Sequence, residues 1–287
     1  MSEPHPLEIP DLFVISNGEG GLPKITITTD RSNAEIYLHG AHVTHFQKHG
    51  DAPLLFMSAA SDFHAEKPIR GGVPIIFPWF GPREGMPAHG FARNVRWKLV
   101  DRSVLPDGSV RIHLRMPSIE YHEVDYFVTV GESLILELVV ANTSSKEISF
   151  ETCLHTYFHI GSIEAISISG LKNCGYFDKV KAIGALETAP AIHITGEVDR
   201  VYFDTAAPVE IHDAALGRTI RIEKSGSAST VVWNPWIDKS RAMPDFGDEE
   251  FHRMVCVESG NVAKNKVILP SGSDTTLKVI LTTTSTV

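Results

Sequence analysis

The sequence predicts an all-β protein, a large antiparallel β-sandwich, on three observations. Strand-length stretches recur along the chain, the breaks between them are rich in Gly, Pro, Asp, Asn and Ser, and neither a long helical period nor a strand–helix–strand rhythm is present. Lys24–Thr29 (KITITT) and Val110–Met116 (VRIHLRM) alternate apolar with polar residues, the pattern of a strand with one buried face. Leu134–Ala141 (LILELVVA) and Thr276–Leu281 (TLKVIL) are aliphatic runs of strand length. Val209–His212 and Thr219–Ile222 flank the turn-prone DAALG and predict a hairpin. The best helical candidate, Asp245–Arg253, is long enough for only a turn or two. With no repeat, low-complexity tract or linker, residues 1–287 are expected to form one domain.

A chain of 287 residues buries enough surface for a substantial core. Its net charge of −9 argues against a nucleic-acid partner, which needs a basic face, but leaves room for an anionic small molecule held by a few local arginines. Cys153, Cys174 and Cys256 are odd in number and lack CxxC spacing, as expected of reduced thiols in a reducing compartment. The opening MSEPHPLEIPDLF has no basic-then-apolar leader pattern, and no apolar run approaches a membrane span, so a cytoplasmic, membrane-free protein is expected; a monomer is expected separately.

Four segments do not read as ordinary strand or loop. Pro68–Arg93 (PIRGGVPIIFPWFGPREGMPAHGFAR) is dense in Gly, Pro and aromatics and predicts a rigid loop. Arg70, Arg83, His89 and Arg93 are its polar members; two or three planar guanidinium groups form a phosphate clamp, or else they are solvated on a structural loop. Phe150–Ile160 (FETCLHTYFHI) has strand composition. On a strand, His155 and His159 lie about 13 Å apart, too far to share a metal, and each reads alone as a core histidine or an acid–base group. In Met254–Asn261 (MVCVESGN), Glu258 ends a hydrophobic strand just before Ser-Gly and either turns to solvent or projects into a cleft where poor hydration raises its pKa. Alternation puts Cys153 on the face of His155 and Cys256 on the face of Glu258, where buried thiols are more often inert than nucleophilic. Finally, Glu197–Asp204 supplies Asp199, a carboxylate able to hold sugar hydroxyls, and Val231–Ser240 supplies Trp233, Trp236 and Lys239. The Gly-rich NGEGGLP precedes a strand and is no phosphate loop.

In this order the segments resemble the aldose 1-epimerase (galactose mutarotase-like) superfamily, in its glucose-6-phosphate 1-epimerase, or hexose-6-phosphate mutarotase, branch. The resemblance rests on RGGVP from Arg70, FPWFGP, HGFAR from His89 to Arg93, LHTYF around His155, DRVY from Asp199, WNPW from Trp233 and VESGNV around Glu258, together spanning roughly residues 70–262. Ala88 stands where some relatives carry a substrate-contacting Gln, and Glu258 is followed by Ser-Gly instead of Pro-Gly. The resemblance implies a supersandwich of two large sheets with an open cleft and an isomerase that uses no cofactor and no metal. It implies His155 as general acid, Glu258 as general base, Arg70 and Arg93 as holders of the phosphate of a hexose 6-phosphate, and His89 and Asp199 as contacts to the sugar ring. A mutarotase of free aldoses and a non-catalytic sugar-binding protein are the alternatives; a metal-dependent cupin is a third.

Overall fold

The computed structural model describes residues 12–118 and 122–286; the amino-terminal stretch read above for a leader lies outside them, apart from its last two residues. Two large antiparallel sheets dominate. One runs, in spatial order, Ala191–Ile192, Ile166–Ser169, Val209–Asp213, Arg218–Ser225, Asp274–Ser285, Leu134–Asn142, His122–Val130, Val110–Arg115 and Lys98–Val104. The other runs Ile183–Leu186, Gly175–Asp178, Val198–Phe203, Ser229–Asn234, Met254–Asn261, Thr152–Leu154 and Ile75–Ile76, with Tyr157–His159 also paired to Met254–Asn261. A four-stranded amino-terminal sheet, Phe13–Asn17 to His42–Lys48, completes the main architecture.

Alternation explains the packing. Leu134–Asn142 buries every second side chain, and the hairpin expected around DAALG forms between Val209–Asp213 and Arg218–Ser225. Ser229–Asn234 and Met254–Asn261 are buried along their whole length, as central strands covered on both faces must be. Their inward residues Val232, Val255 and Val257 join one apolar cluster with Ile112, Leu136 and Leu281 of the facing sheet. The intervening residues face outward, and that outer face carries the chemistry.

The helical expectation needs correction. Within Asp245–Arg253 only Glu250–Arg253 forms a turn of 3-10 helix, because Gly247 interrupts the segment and the Glu250 carboxylate accepts the amides of Gly247 and Ala59. The one α-helix among the described residues is Trp236–Ala242, where Pro235 precedes the first turn and the Asn234 side chain accepts the Trp236 amide at 2.9 Å. No helix among the described residues is long and apolar enough to cross a membrane.

Candidate active site

Register assembles the site. Leu154 pairs with Ser259 and Tyr157 with Cys256, so the same antiparallel count sets His155 opposite Glu258. Here the stretch read as one strand is interrupted: the His155 amide leaves the ladder to donate to the Pro74 carbonyl at 3.0 Å, and the Thr156 amide turns back to Leu154. The two side chains meet on the outer face, His155 Nε2 lying 3.2 Å from Glu258 Oε1, with Glu258 1% exposed. The same face carries the cross-strand row Asp199, Trp233, Cys256 and Tyr157. The Tyr157 ring stacks on the His155 imidazole at 4.8 Å and 14°, while Trp233 meets it edge-on. Cys153, on the next row, lies with Sγ 3.5 Å from Glu258 Oε2. Burial pushes both site thiols well above their ordinary range, so they are neutral donors and not nucleophiles.

The Gly- and Pro-rich loop forms the opposite wall. Gly90 has φ +73°, and a Cβ there would lie 1.9 Å from the Phe77 carbonyl oxygen, so only glycine lets the two halves of the loop touch. His89, just before it, is held at φ 67° by its amide donating to the Gly81 carbonyl and by its Nδ1 accepting the Gly81 amide. The imidazole therefore points into the cavity, edge-on to both Phe80 and His155.

The cavity so enclosed has a volume of about 280 Å³. Five of the six residues singled out from sequence line it together: Arg70, His89, His155, Asp199 and Glu258. Arg93 is buried beside it, close enough for its charge to act on His155, His89 and Glu258; its Nη2 donates to the Ala88 carbonyl and its Nε has no hydrogen-bond partner. The cations that do line the cavity with Arg70 are Lys179 and Lys239. Arg83 sits over the Trp79 ring instead. Arg70 is already oriented: Nε and Nη2 donate to Asp245 Oδ2 at 3.1 and 3.0 Å, and Nη1 donates to the Tyr157 hydroxyl at 3.0 Å. That uses three of five guanidinium N–H groups and leaves two for a ligand. Lys179 and Asp245 carried no sequence signal, since only the fold brings them to this cleft. Tyr157 lies in a strand-like run whose sequence gives it no role of its own.

Burial sets the proton balance. It pushes the Glu258 carboxyl well above the usual carboxylate range, Asp199 adding to the effect, and pushes His155 well below that of imidazole, helped by His89, Arg93 and Arg70. Burial and the same cationic surroundings push His89 down to about 3, so its ring is neutral and able both to donate and to accept. Burial opposes the Arg70 charge, but Tyr157 and Asp245 more than compensate. A second buried imidazole, His42, braces the RGG turn through a 2.7 Å bond to the Gly71 carbonyl and is likewise pushed down to about 3 by burial.

These imidazoles make stability pH-dependent. Below the ordinary histidine pKa of about 6.5 the unfolded chain takes up protons that folded His42 and His89 refuse until about pH 3. Glu258 works the other way, its folded carboxyl holding a proton that the unfolded chain has lost, and it offsets His155. The net effect of His42 and His89 is stability that falls as pH drops from about 6.5 toward 3. Urea unfolding is expected to show a lower midpoint near about pH 5 than near about pH 7.5, and replacing His42 by Gln should flatten that slope. An unchanged midpoint across the range would contradict it.

A larger open groove of about 870 Å³ lies elsewhere and is lined by His159, Glu35 and Glu250 among others. Two of its three carboxylates have internal partners, Glu35 in Lys24 and Glu250 in two backbone amides. No buried acid–base pair faces it.

Two twisted antiparallel sheets with a buried His–Glu pair in an outer cleft define a galactose mutarotase-like supersandwich. Residues 23–282 match the aldose 1-epimerase family, and the chain belongs to that family. It is accordingly an isomerase. A protein of Cenchrus ciliaris named "Putative glucose-6-phosphate 1-epimerase" is 35% identical over 268 residues, 87% of this chain and 82% of the relative. One of the same name from Salmonella typhimurium is 33% identical over 83% of each chain. Among solved structures, a Salmonella typhimurium protein described as a "putative mutarotase (YeaD)" superposes with a TM-score of 0.89 at 28% identity, over 97% of this chain and 95% of that one. The sandwich and isomerase expectations therefore hold.

Proposed function

We propose that this protein is a glucose-6-phosphate 1-epimerase, interconverting the α and β anomers of a hexose 6-phosphate. The observation that carries the reading is the His155–Glu258 pair at the floor of a cavity whose wall holds three cations. Anomer exchange needs the C1 hydroxyl deprotonated while the ring oxygen is protonated; the ring opens, the C1–C2 bond rotates and the ring recloses on the other face of the aldehyde. Glu258 is the general base and His155 the general acid. The raised carboxyl pKa makes the Glu258 carboxylate a stronger base, and the lowered imidazole pKa makes protonated His155 a stronger acid. The cost is that only a small fraction of the pair holds that charged arrangement before reaction. Proton transfer to and from the sugar converts it into the neutral pair that burial favours, and ring closure runs the transfers backwards.

Asp199 and His89 contact the ring hydroxyls. Arg70 offers its two remaining N–H groups to the phosphate, so binding at a non-reacting end orients C1. Arg93, buried and bonded to the Ala88 carbonyl, is the second arginine of the proposed phosphate site. The names of the relatives point to the same substrate. A reading restricted to free aldoses draws on one observation: Arg70, Lys179 and Lys239 already have carboxylate partners in Asp245, Asp199 and Glu197.

The test is the anomerisation rate of freshly dissolved α-glucose 6-phosphate with and without protein, beside the same measurement on glucose. The expected result is acceleration of the phosphate at far lower substrate concentration. Equal efficiency on glucose would leave an epimerase and remove the phosphate preference; no effect on either sugar or on other hexose phosphates would overturn the reading.

A further inference from the structure

Glu258 receives one hydrogen bond among the described residues, and the donor is a thiol: Cys153 Sγ lies 3.5 Å from Oε2. The other oxygen, Oε1, lies beside His155 Nε2. Glu258 and His155 line the cavity and Cys153 does not, so the thiol reaches a bound sugar only through the carboxyl it holds.

The strands fix this contact from both sides. Cys153 pairs with Ile76 on one neighbour and with Gly260 on the other, two residues beyond Glu258 on the same face. A Cβ at Gly260 would lie 2.8 Å from both Cβ and Sγ of Cys153, so glycine there leaves the thiol its place. The surroundings are apolar: Cys153 is fully buried in a cluster with Ile76, Val201, Val231 and Val262, and Val231 pairs directly with Glu258. Burial keeps the thiol protonated, so its donor persists across the working pH range.

One donor in that place has two effects. The terminal torsion of a glutamate is broad and two-fold, and a bond to Oε2 fixes it, leaving Oε1 beside His155. The S–H group is a weak donor, but it favours the carboxylate, the better acceptor, over the acid. Burial makes the charged arrangement of the His155–Glu258 pair rare, so a donor to the carboxylate enlarges the reactive fraction. The carboxylate becomes a slightly weaker base in return, yet with a Brønsted dependence below unity the gain in population outweighs that loss.

We propose that Cys153 is a positioning residue for proton transfer, its thiol holding Oε2 so that Glu258 keeps its orientation and more readily takes the carboxylate form that accepts the C1 hydroxyl proton. This rests on the proposed reading of Glu258 as the base of a sugar 1-epimerase.

The test follows glucose 6-phosphate anomers by exchange NMR across pH in wild type, Cys153→Ala and Cys153→Ser. Loss of the donor predicts kcat lowered about tenfold in Cys153→Ala with KM within about twofold. The alkaline limb of its pH profile should move up, because the pair then gives up its last proton at higher pH. The serine hydroxyl is a stronger donor in nearly the same place, so Cys153→Ser should recover most of kcat and bring the limb back down. On the sheet the groups facing the pair are Tyr157, Cys256, Asp199 and Lys179; on the loop they are Arg70, His89 and Arg93. Glu151 and Lys224 act on the thiol itself. All are the same in the three proteins, so a moved limb reports residue 153. A second readout needs no turnover. The infrared S–H band absent from both variants should lie at lower frequency in wild type than in Glu258→Leu, where the thiol has no acceptor.

An active wild type beside a Cys153→Ala with unchanged kcat and limb overturns the Cys153 assignment alone. So does a loss of kcat with the limb unmoved, the mark of a thiol that only packs, or an S–H band that stays in place in Glu258→Leu. A wild type inactive on every aldose and hexose phosphate overturns the reading of Glu258 and this assignment together.

Discussion

Glu258→Gln is expected to lower kcat about a thousandfold while leaving the affinity for glucose 6-phosphate within about threefold of wild type. The amide keeps the size of the carboxyl, so it still fills the space between His155 Nε2 and Cys153 Sγ on a fully buried strand. What it cannot do is accept the C1 hydroxyl proton. Stability should not suffer, because burial already disfavours the charged form of this group. The measurement pairs exchange NMR of the anomers with calorimetric titration of the sugar phosphate. Turnover within about tenfold of wild type would remove Glu258 as the base. The pH profile of the wild type adds a check, since the pair must carry one proton between its two groups. Activity should fall when both are protonated and again when neither is, with apparent pKa values that belong to the pair.

Sequence alone carries the strand alternation of Leu134–Asn142, the DAALG hairpin and the dense loop from Pro68 to Arg93, because each depends on residues close in the chain. It also places Cys153 beside the acid–base face, since alternation is a local rule. The meeting of His155 with Glu258 is different. It depends on register between segments about a hundred residues apart, which no local pattern specifies. Arg93 shows the limit of reading composition as geometry. The arginines of the Pro68–Arg93 loop read as a clamp or as solvated side chains, yet Arg93 is buried and bonded to the Ala88 carbonyl, while the left-handed His89 enters the cavity. Lys179 was invisible for the opposite reason. It enters the cleft from a hairpin far along the chain, brought in by the pairing of Gly175–Asp178 with Val198–Phe203.

Arg70→Ala is expected to lower kcat/KM for glucose 6-phosphate about a hundredfold or more, through two separable effects. The first is loss of the phosphate contact, which raises KM for the phosphorylated sugar and leaves free glucose aside. The second follows from what Arg70 already holds. Without the guanidinium, Asp245 keeps a half-buried charge with no partner, and the Tyr157 hydroxyl loses its donor. Tyr157 is the ring stacked on His155, so its loosening should reach the proposed acid and lower kcat for either sugar. Arg70→Lys keeps the charge but not the fork, and should recover part of the KM while leaving kcat depressed. Adding Asp245→Asn to Arg70→Ala removes the stranded carboxylate. If Arg70 acts partly through Tyr157, whose hydroxyl still lacks its donor, kcat for either sugar stays depressed in that double variant; full recovery of kcat would trace the loss to the stranded Asp245 instead. If Arg70 served the phosphate alone, kcat on free glucose would be untouched in every one of these variants, and the Tyr157 stack would be a packing contact without influence on the proton transfer.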